Sequence, residues 1–521
     1  MHNVFRLSLA VPFLCLAFGA PASGQDAKNI PSAWIDSLKW RSLGPAGVGG
    51  RISSMAVFDA DPTTYYVGSA SGGLVRTNNN GVTFDHCFDR ETSVSIGDVA
   101  VAPSDRNIVW VGTGENNPRN SVSFGDGVYK STDGGKSWKN MGLRQSFQIG
   151  RIAIHPTNPD IIYVGALGRL YGPNEERGLY KTSDGGATWR KILFVDDRTG
   201  VVEVKMNPAD PEELLVATWE RRRDEFDSWV GKPEPPETFT QYEPVVRWGR
   251  GSGLYKSRDG GKTFRKVTEG LPTSPLGRIG LDYCRKDPRI VFAVVDCEEI
   301  GKGKAPAPPG FLGIAVEDAE NGVRVTKVFP KSPAASAGVY VGDVLRAVDG
   351  TATLTARTFE RILREQKSGQ TIALQIVRDR KALDAKATLE PPPHFADPYA
   401  NFPYTSYLGG QEENAQDRQT PEGWKYGGVY KSVDGGESWR RVNTLNPRPY
   451  YFSQIRVDPS NADNVYVLGA SLFRSKDGGK VFTDDGALAA FVDHHAMWIN
   501  PRDGRHMLTG SDGGEMRDQV D

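Results

Sequence analysis

Cysteine is almost absent, with four in 521 residues. One of them, Cys15, lies in an N-terminal leader, which leaves Cys87, Cys284 and Cys297. At most one disulfide can then form within the rest of the chain, and a cystine-held scaffold is excluded. The spacing of Cys284 and Cys297 allows a bridge across adjacent strands; a buried free thiol at each is the alternative. An excess of charge of one sign is also missing, since 63 Lys and Arg face 64 Asp and Glu. With no basic stripe interleaved with aromatics, nucleic acid is not expected as a partner. Beyond the leader no segment approaches the ~20 apolar residues of a membrane helix, so no membrane span is expected.

What is plentiful points to strands and turns. Glycine (59) and tryptophan (11) are abundant and apolar runs are short, as in an all-β chain. A chain of 521 residues exceeds what one hydrophobic core usually serves, so several domains or a repeat architecture are expected. The leader, "MHNVFRLSLAVPFLCLAFGAPASGQDA", has Arg6, an apolar run over 7–18 and small residues ending at Ala22. That pattern reads as a secretory signal peptide over residues 1–22 and places the chain as secreted or periplasmic. A membrane anchor fits less well because the run is short and contains Pro12. Leu14 is too bulky for the usual lipoprotein site before Cys15.

One phrase returns along the chain: "KSTDGGKSW" at 130, "KTSDGGATW" at 181, "KSRDGGKTF" at 256, "KSVDGGESW" at 431 and "RSKDGGKVF" at 474. A second phrase precedes it, as in "RIAIHPTNPDIIYVGAL" from 151 and "QIRVDPSNADNVYVLGA" from 454, and with diverged copies the module occurs seven times. Each module reads as four strands: a β-branched strand ending at a Pro/Asn/Asp turn, one ending in Gly, one like "GLYKS", and one opened by the DGG turn with Trp or Phe. Four strands repeated radially give an all-β, seven-bladed β-propeller of four-stranded blades. Asp133, Asp184, Asp259, Asp434 and Asp477 are therefore structural: each can accept hydrogen bonds from turn amides, and the two glycines can take positive φ. Seven copies argue against catalysis. The first copy, "TNNNGVTF", has Asn79 at the Asp position.

The Ser-x-Asp-x-Gly-x-Thr-Trp pattern resembles the Asp-box, or bacterial neuraminidase repeat, and the modules are similar to sortilin-type and xyloglucan-hydrolase-type propellers over about 40–300 and 425–521. The propeller is expected over 34–300 and 425–521. The last module stops at Asp521 with no Trp strand, and residues 40–43 of "LKWRSLGP" can supply the missing one and leave no open edge. Alternatively, the chain is a piece of a longer two-propeller protein.

A Pro-rich linker, "GKGKAPAPPG", leads into a stretch that breaks the repeat and resembles a bacterial-type PDZ domain over 308–392. The resemblance makes "GFLGI" (Gly310, Phe311, Leu312, Gly313, Ile314) the carboxylate-binding loop and "TFERILREQKSG" the groove helix. Glycines there let loop amides form a nest for a chain-terminal carboxylate, and the strand over 314–317 offers an edge for an added peptide strand. Thr358, Phe359, Ile362 or Leu363 would line the groove. A domain that only packs is the alternative. Such domains accompany serine proteases, yet no Gly-x-Ser-x-Gly setting is present.

Every long insertion falls between second and third strands or between modules, so one face of the ring is decorated and is the expected binding face. Candidates on it are Glu115, Asn117, Arg119, Arg169, Tyr171, Trp219, Arg221, Arg222, Arg223, Asp493, His494 and His495. The arginine run also reads as a solvated loop. Adjacent histidines on a strand point to opposite sides, so no metal site is expected, and no cofactor is implied. Where xyloglucan hydrolases carry a catalytic Asp in a "TDVGG"-like stretch, this chain has "SASGG" with Ala70. Their second acid belongs to a second propeller. Sialidase chemistry would need an arginine triad with a Tyr nucleophile, and no early "RIP" stretch is present; the cysteine-rich module and membrane span of sorting receptors are likewise missing. The expectation is a peptide- and protein-binding scaffold: the PDZ domain takes peptide C-termini and the loop face takes a protein or a polysaccharide. The alternative is a glycoside hydrolase with displaced acids among Glu115, Asp224 and Asp493.

Overall fold

The computed structural model describes residues 50–119, 122–223, 246–304, 310–392, 403–484 and 491–519. The expected signal peptide, the closing strand at 40–43 and Asp224 lie outside them. The regular structure of the described residues is nearly all antiparallel sheet joined by turns and loops, with few helical turns.

Five four-stranded sheets and two three-stranded sheets follow the repeat, each laid down strand by strand in chain order. The first runs from Ile52–Val57 to Asp85–His86, the second from Ile96–Ala102 to Lys139–Asn140 and the third from Ile149–Ile154 to Arg190–Leu193. The fourth opens with Thr199–Asn207. The fifth is split: Leu276–Tyr283 and Val291–Cys297 pair onward with Gly428–Ser432 and Arg440–Asn443, with the inserted segment between. The sixth and seventh, opening with Gln454–Asp458 and His494–Asn500, have three strands each among the described residues. In the sixth, an isolated bridge from Arg474 to Thr483 marks where a fourth would start.

The first strand of each sheet packs on the first strand of the next, and His494–Asn500 packs on Ile52–Val57. This is the packing of a β-propeller, and it accounts for the glycine that ends the second strand of the module. A Cβ on Gly112 would come within 2.4 Å of Ile149 Cγ2, and one on Gly510 within 2.4 Å of Ile52 Cγ2. The β-branched residue of the neighbouring inner strand fills that space, so the position has room for no side chain. Between sheets lie layers of buried apolar residues, such as Tyr66, Leu74, Ile96, Val109 and Tyr129. Each such side chain contributes roughly 1.5–3 kcal/mol by leaving water.

The insertion folds around its own core, which includes Leu312, Val323, Leu345, Phe359, Ile362 and Leu374. Its main strands run Ile314–Ala319, Gly322–Val328, Val344–Val348, Thr371–Arg378 and Lys381–Thr388 across the sheet. The helix Ala356–Glu365 starts at Thr355, whose side chain accepts from the Thr358 amide. The chain leaves and re-enters the propeller at one place: the Tyr404 hydroxyl donates to the carbonyl of Lys304, 2.6 Å away, and Gln411 Nε2 to that of Thr444 at 2.6 Å.

The disulfide alternative is corrected. Cys297 pairs opposite Leu276 while Cys284 follows Tyr283, so the two lie at opposite ends of one hairpin, and all three described cysteines are free thiols.

Candidate functional site

The Asp-box turns share one internal geometry. Asp133 accepts from the amides of Lys136 and Ser137, both at 2.9 Å, and from the Ser137 hydroxyl at 2.6 Å. Ser131 Oγ in turn accepts from the Gly135 amide at 2.8 Å. Asp184, Asp259, Asp434 and Asp477 repeat this with Thr188, Thr263, Ser438 and Val481. Asn79 does the same with the Thr83 amide at 3.0 Å. The box tryptophan ties back to the preceding sheet: Trp138 Nε1 donates to the Cys87 carbonyl and Trp189 Nε1 to that of Met141. The hydroxyl of Ser137, then the turn amides, hold the Asp133 carboxyl at about 2. The box carboxylates are thus engaged by the amides and hydroxyls of their own turns.

The decorated face is different. Residues at the starts of inner strands and the ends of second strands converge there on one buried polar cluster. Glu115, 1% exposed, is held by Arg51 through Nε at 2.5 Å and through Nη2. Asn117 Oδ1 accepts from Arg278 Nη1 at 3.0 Å, and Asn117 Nδ2 lies 3.4 Å from His495 Nδ1. His495 Nε2 lies 3.0 Å from Asp512 Oδ1. A proton on Nε2 satisfies Asp512, and when the ring is neutral Nδ1 can accept from Asn117. The His495 ring stacks on Phe452, with centroids 5.1 Å apart.

Two carboxylates here are pushed apart. Burial, then the charge of Asp512, raises the Asp493 pKa. Burial also opposes ionisation of Asp512, but the hydrogen bond and charge of His495, with Arg51 and Arg119, outweigh it and lower its pKa. The Asp512 amide donates to the Asp493 carbonyl at 3.2 Å, so the pair are neighbours. His494 is buried, and burial, then the His495 charge, lowers its pKa to about 4. Below this face the inner strands carry a buried ionic chain. Arg151 reaches Glu203 at 2.8 Å and Asp98 at 3.2 Å, and Lys205 reaches Asp282 at 3.0 Å.

Several expected site residues stand elsewhere than expected. Trp219 is fully buried and donates to the Arg247 carbonyl at 2.9 Å, because it packs under the loops instead of lining a surface. Arg221 and Arg223 are 1% exposed, so that part of the arginine run is no solvated loop. Arg222 instead forms a backbone bridge with Val246. Arg169 lies over the Phe147 ring, 4.6 Å from its centroid. Arg51, Gln148, Arg278, Tyr451 and Asp512 join the cluster without having been singled out from the sequence. Four of them sit at or just before inner strands, a signal that aligning the module starts could have given; Asp512 follows the second strand of the last sheet. Among the described residues no group of three or more His, Cys, Asp or Glu is placed to hold a metal ion.

In the inserted domain, Ile314–Ala319 is the outermost strand, paired with Gly322–Val328, and the helix Ala356–Glu365 packs beside it. The expected five-residue nest narrows. The Gly310 amide donates to the Gln366 carbonyl at 3.0 Å and that of Phe311 to Glu390 at 2.7 Å, so neither is available to a ligand. Among the described residues the amides of Leu312 and Gly313 have no such partner. Phe359 and Ile362 point into the core, and Thr358 joins the helix cap. Half-buried Ile314, Val316 and Leu363 are among the apolar groups packed at its margin.

Residues 310–389 match the family model described as PDZ domain, and residues 126–299 match that described as sortilin, neurotensin receptor 3. A xyloglucanase of Acetivibrio thermocellus is 25% identical over 276 residues, half of this chain and 29% of that protein. The serine endoprotease DegS of Haemophilus influenzae is 25% identical over 177 residues, 31% of this chain and 47% of that one. The chain thus spans under a third of the xyloglucanase and about half of the endoprotease. Among solved structures, one described as YCF48 bound to D1 peptide is 12% identical with a TM-score of 0.42, covering 91% of this chain and 95% of that one. A GH74 xyloglucanase from Xanthomonas campestris is 17% identical with a TM-score of 0.34, covering 92% and 71%. Residues 126–299 thus resemble the sortilin-type, Asp-box propeller, and residues 310–389 carry the match to a PDZ domain.

Proposed function

We propose that this chain is a secreted or periplasmic recognition protein. Its seven-bladed propeller, over 34–300 and 425–521, carries a PDZ domain at 308–392 that captures peptide C-termini. One observation carries this reading: the outer edge of Ile314–Ala319 runs beside the helix Ala356–Glu365, with the unengaged amides of Leu312 and Gly313 at its head. A peptide adding to that edge would gain main-chain hydrogen bonds, and its carboxylate would meet two amide donors. The loop face, with Arg119, Arg169 and Asp493 and with Glu115 and His494 buried beneath it, would hold a protein or a glycan. The test is a C-terminal peptide library against the full mature chain, with each hit repeated as its C-terminal amide. Binding lost on amidation is expected; equal binding of acid and amide, or none, rejects the reading.

The xyloglucanase similarity and the neighbouring Asp493 and Asp512 favour a second reading, glycoside hydrolysis. Asp493, with its raised pKa, would be the acid and the ionised Asp512 its partner. Asp512 replaces Glu115 in that role because Glu115 is tied to Arg51. Turnover on a xyloglucan panel that disappears in Asp493→Asn is the expected result; wild-type silence, or turnover that survives the substitution, rejects it.

A further inference from the structure

Four arginines, Arg177, Arg221, Arg223 and Arg278, gather under the loop face, each at most 1% exposed. Two are satisfied by the protein. Arg177 donates to the carbonyls of Leu167, Arg169, Gly172 and Asp197, and Arg223 to that of Pro118. The other two are not. Arg221 spends Nη2 on Gln148 Oε1, while its Nε and Nη1 are buried with no hydrogen-bond partner. Arg278 spends Nη1 on Asn117 Oδ1 and the Tyr451 carbonyl, while its Nε and Nη2 have none. Both guanidinium groups lie against the same indole, 5.4 and 5.6 Å from the Trp219 ring centroid.

This arrangement is costly unless something completes it. A guanidinium does not shed its proton in a protein, and a buried one without acceptors loses several kcal/mol of solvation. The arginines also repel one another: burial first, then the charges of Arg177, Arg278 and Arg223, lowers the Arg221 pKa. The carboxylate that opposes them, Glu115, is already held by Arg51. An anion with at least two acceptor atoms would engage these donors and offset the clustered charge. Nε–H and Nη2–H lie on one edge of a guanidinium and form the fork that takes a carboxylate side-on, and this is the buried edge of Arg278 that has no hydrogen-bond partner. Glu115 and Asp512 nearby favour a singly charged anion over a dianion.

We propose that Arg278 and Arg221 form a buried receptor for an organic carboxylate on the loop face, with Arg278 binding side-on and Arg221 completing the contact. A sugar acid and an amino-acid carboxyl present the same group, so the source is for experiment to separate. The site is independent of the PDZ groove, whose failure would leave it standing.

The test is thermal unfolding of the full chain with rising sodium acetate, chloride being exchanged to hold ionic strength constant. Acetamide serves as the neutral isostere, and inorganic phosphate, sodium glucuronate and N-acetylglycine as further arms. A ligand that binds only the folded state raises the midpoint with its concentration. The expected result is a rise with acetate and none with acetamide. Whichever of glucuronate and N-acetylglycine acts at lower concentration identifies the source. Arg278→Lys keeps the charge without the fork and is expected to need at least tenfold more acetate. Gly313→Ala, which alters the PDZ loop, is expected to respond as wild type, so a response from that loop is recognised by its loss there. If Arg278→Lys does not fold, the acetate and acetamide arms in wild type and in Gly313→Ala still decide. Equal effects of acetate and acetamide, a stronger effect of phosphate, or a response lost in Gly313→Ala would overturn the proposal.

Discussion

Lys256, in the third strand of the fourth sheet, donates its ammonium to the carbonyl of Gly435, 2.8 Å away in the Asp-box turn of the fifth. The same step recurs around the ring, from Arg76 to Gly134 at 2.6 Å, Lys130 to Gly185 at 3.1 Å and Lys181 to Gly260 at 2.8 Å. The boxes of the second to fifth sheets are thus gripped by the sheet before them, which gives the basic residue before the Ser or Thr of the motif a role.

Lys256 also neutralises Glu213 at 2.9 Å and Glu437 at 2.8 Å while its own side chain is 2% exposed. Lys256→Met should cost about 3 kcal/mol, because the partly buried Glu213 loses its cation and the Gly435 carbonyl its donor, while Glu437 keeps Arg258 and Arg265. Denaturant unfolding measures this; a loss under about 1 kcal/mol would show that the latch contributes little.

Acid sensitivity should follow the boxes. The Asp133 carboxyl titrates at about 2 in the folded chain, against about 4 for an unperturbed one. A depressed folded pKa stabilises above the unfolded value, so this contribution is present above pH ~4 and drains away as pH falls toward 2. Asp133→Asn should keep the turn, as Asn79 does in the first copy, and flatten the loss of stability over that interval. Acid unfolding followed by tryptophan fluorescence tests it, and coincident wild-type and variant curves would contradict it.

Gly313 adopts φ +80°, and a Cβ there would come within 2.3 Å of Ser332 Cβ. Gly313→Ala should displace the loop that presents the Leu312 and Gly313 amides. At least a tenfold loss of affinity for any C-terminal peptide bound by wild type is expected, read by calorimetric titration. Unchanged affinity would remove these amides from the binding site.

Thiol chemistry offers a simple check on the hairpin geometry. Without reductant, Cys87, Cys284 and Cys297 should all titrate as thiols in denaturant. In the folded chain Cys87 and Cys297, pushed up to about 12 by burial, should react slowly at pH 8. A peptide map showing Cys284 joined to Cys297 would contradict the structure.

Local chemistry made much of this protein readable from its sequence. The box needs an Asp or Asn acceptor, glycines at positive φ and an aromatic, and these requirements are met within a few residues, so every copy announces itself. The module period then specifies stacked sheets, and the PDZ signature survives because its loop, edge strand and helix occur in one continuous stretch. The free edge of Ile314–Ala319 is likewise a consequence of local strand order.

The loop-face cluster was decided only by folding. Arg51, Glu115, Asn117, Gln148, Arg278, His495 and Asp512 come from five sheets; module position can say which face they share, but which of them become partners is set by ring closure. The sequence displayed Arg221 and Arg223 as part of a charged run, and burial reversed their meaning. Whether a charged side chain is solvated or sequestered depends on what the rest of the chain packs over it, which is a property of the assembled ring and not of any segment.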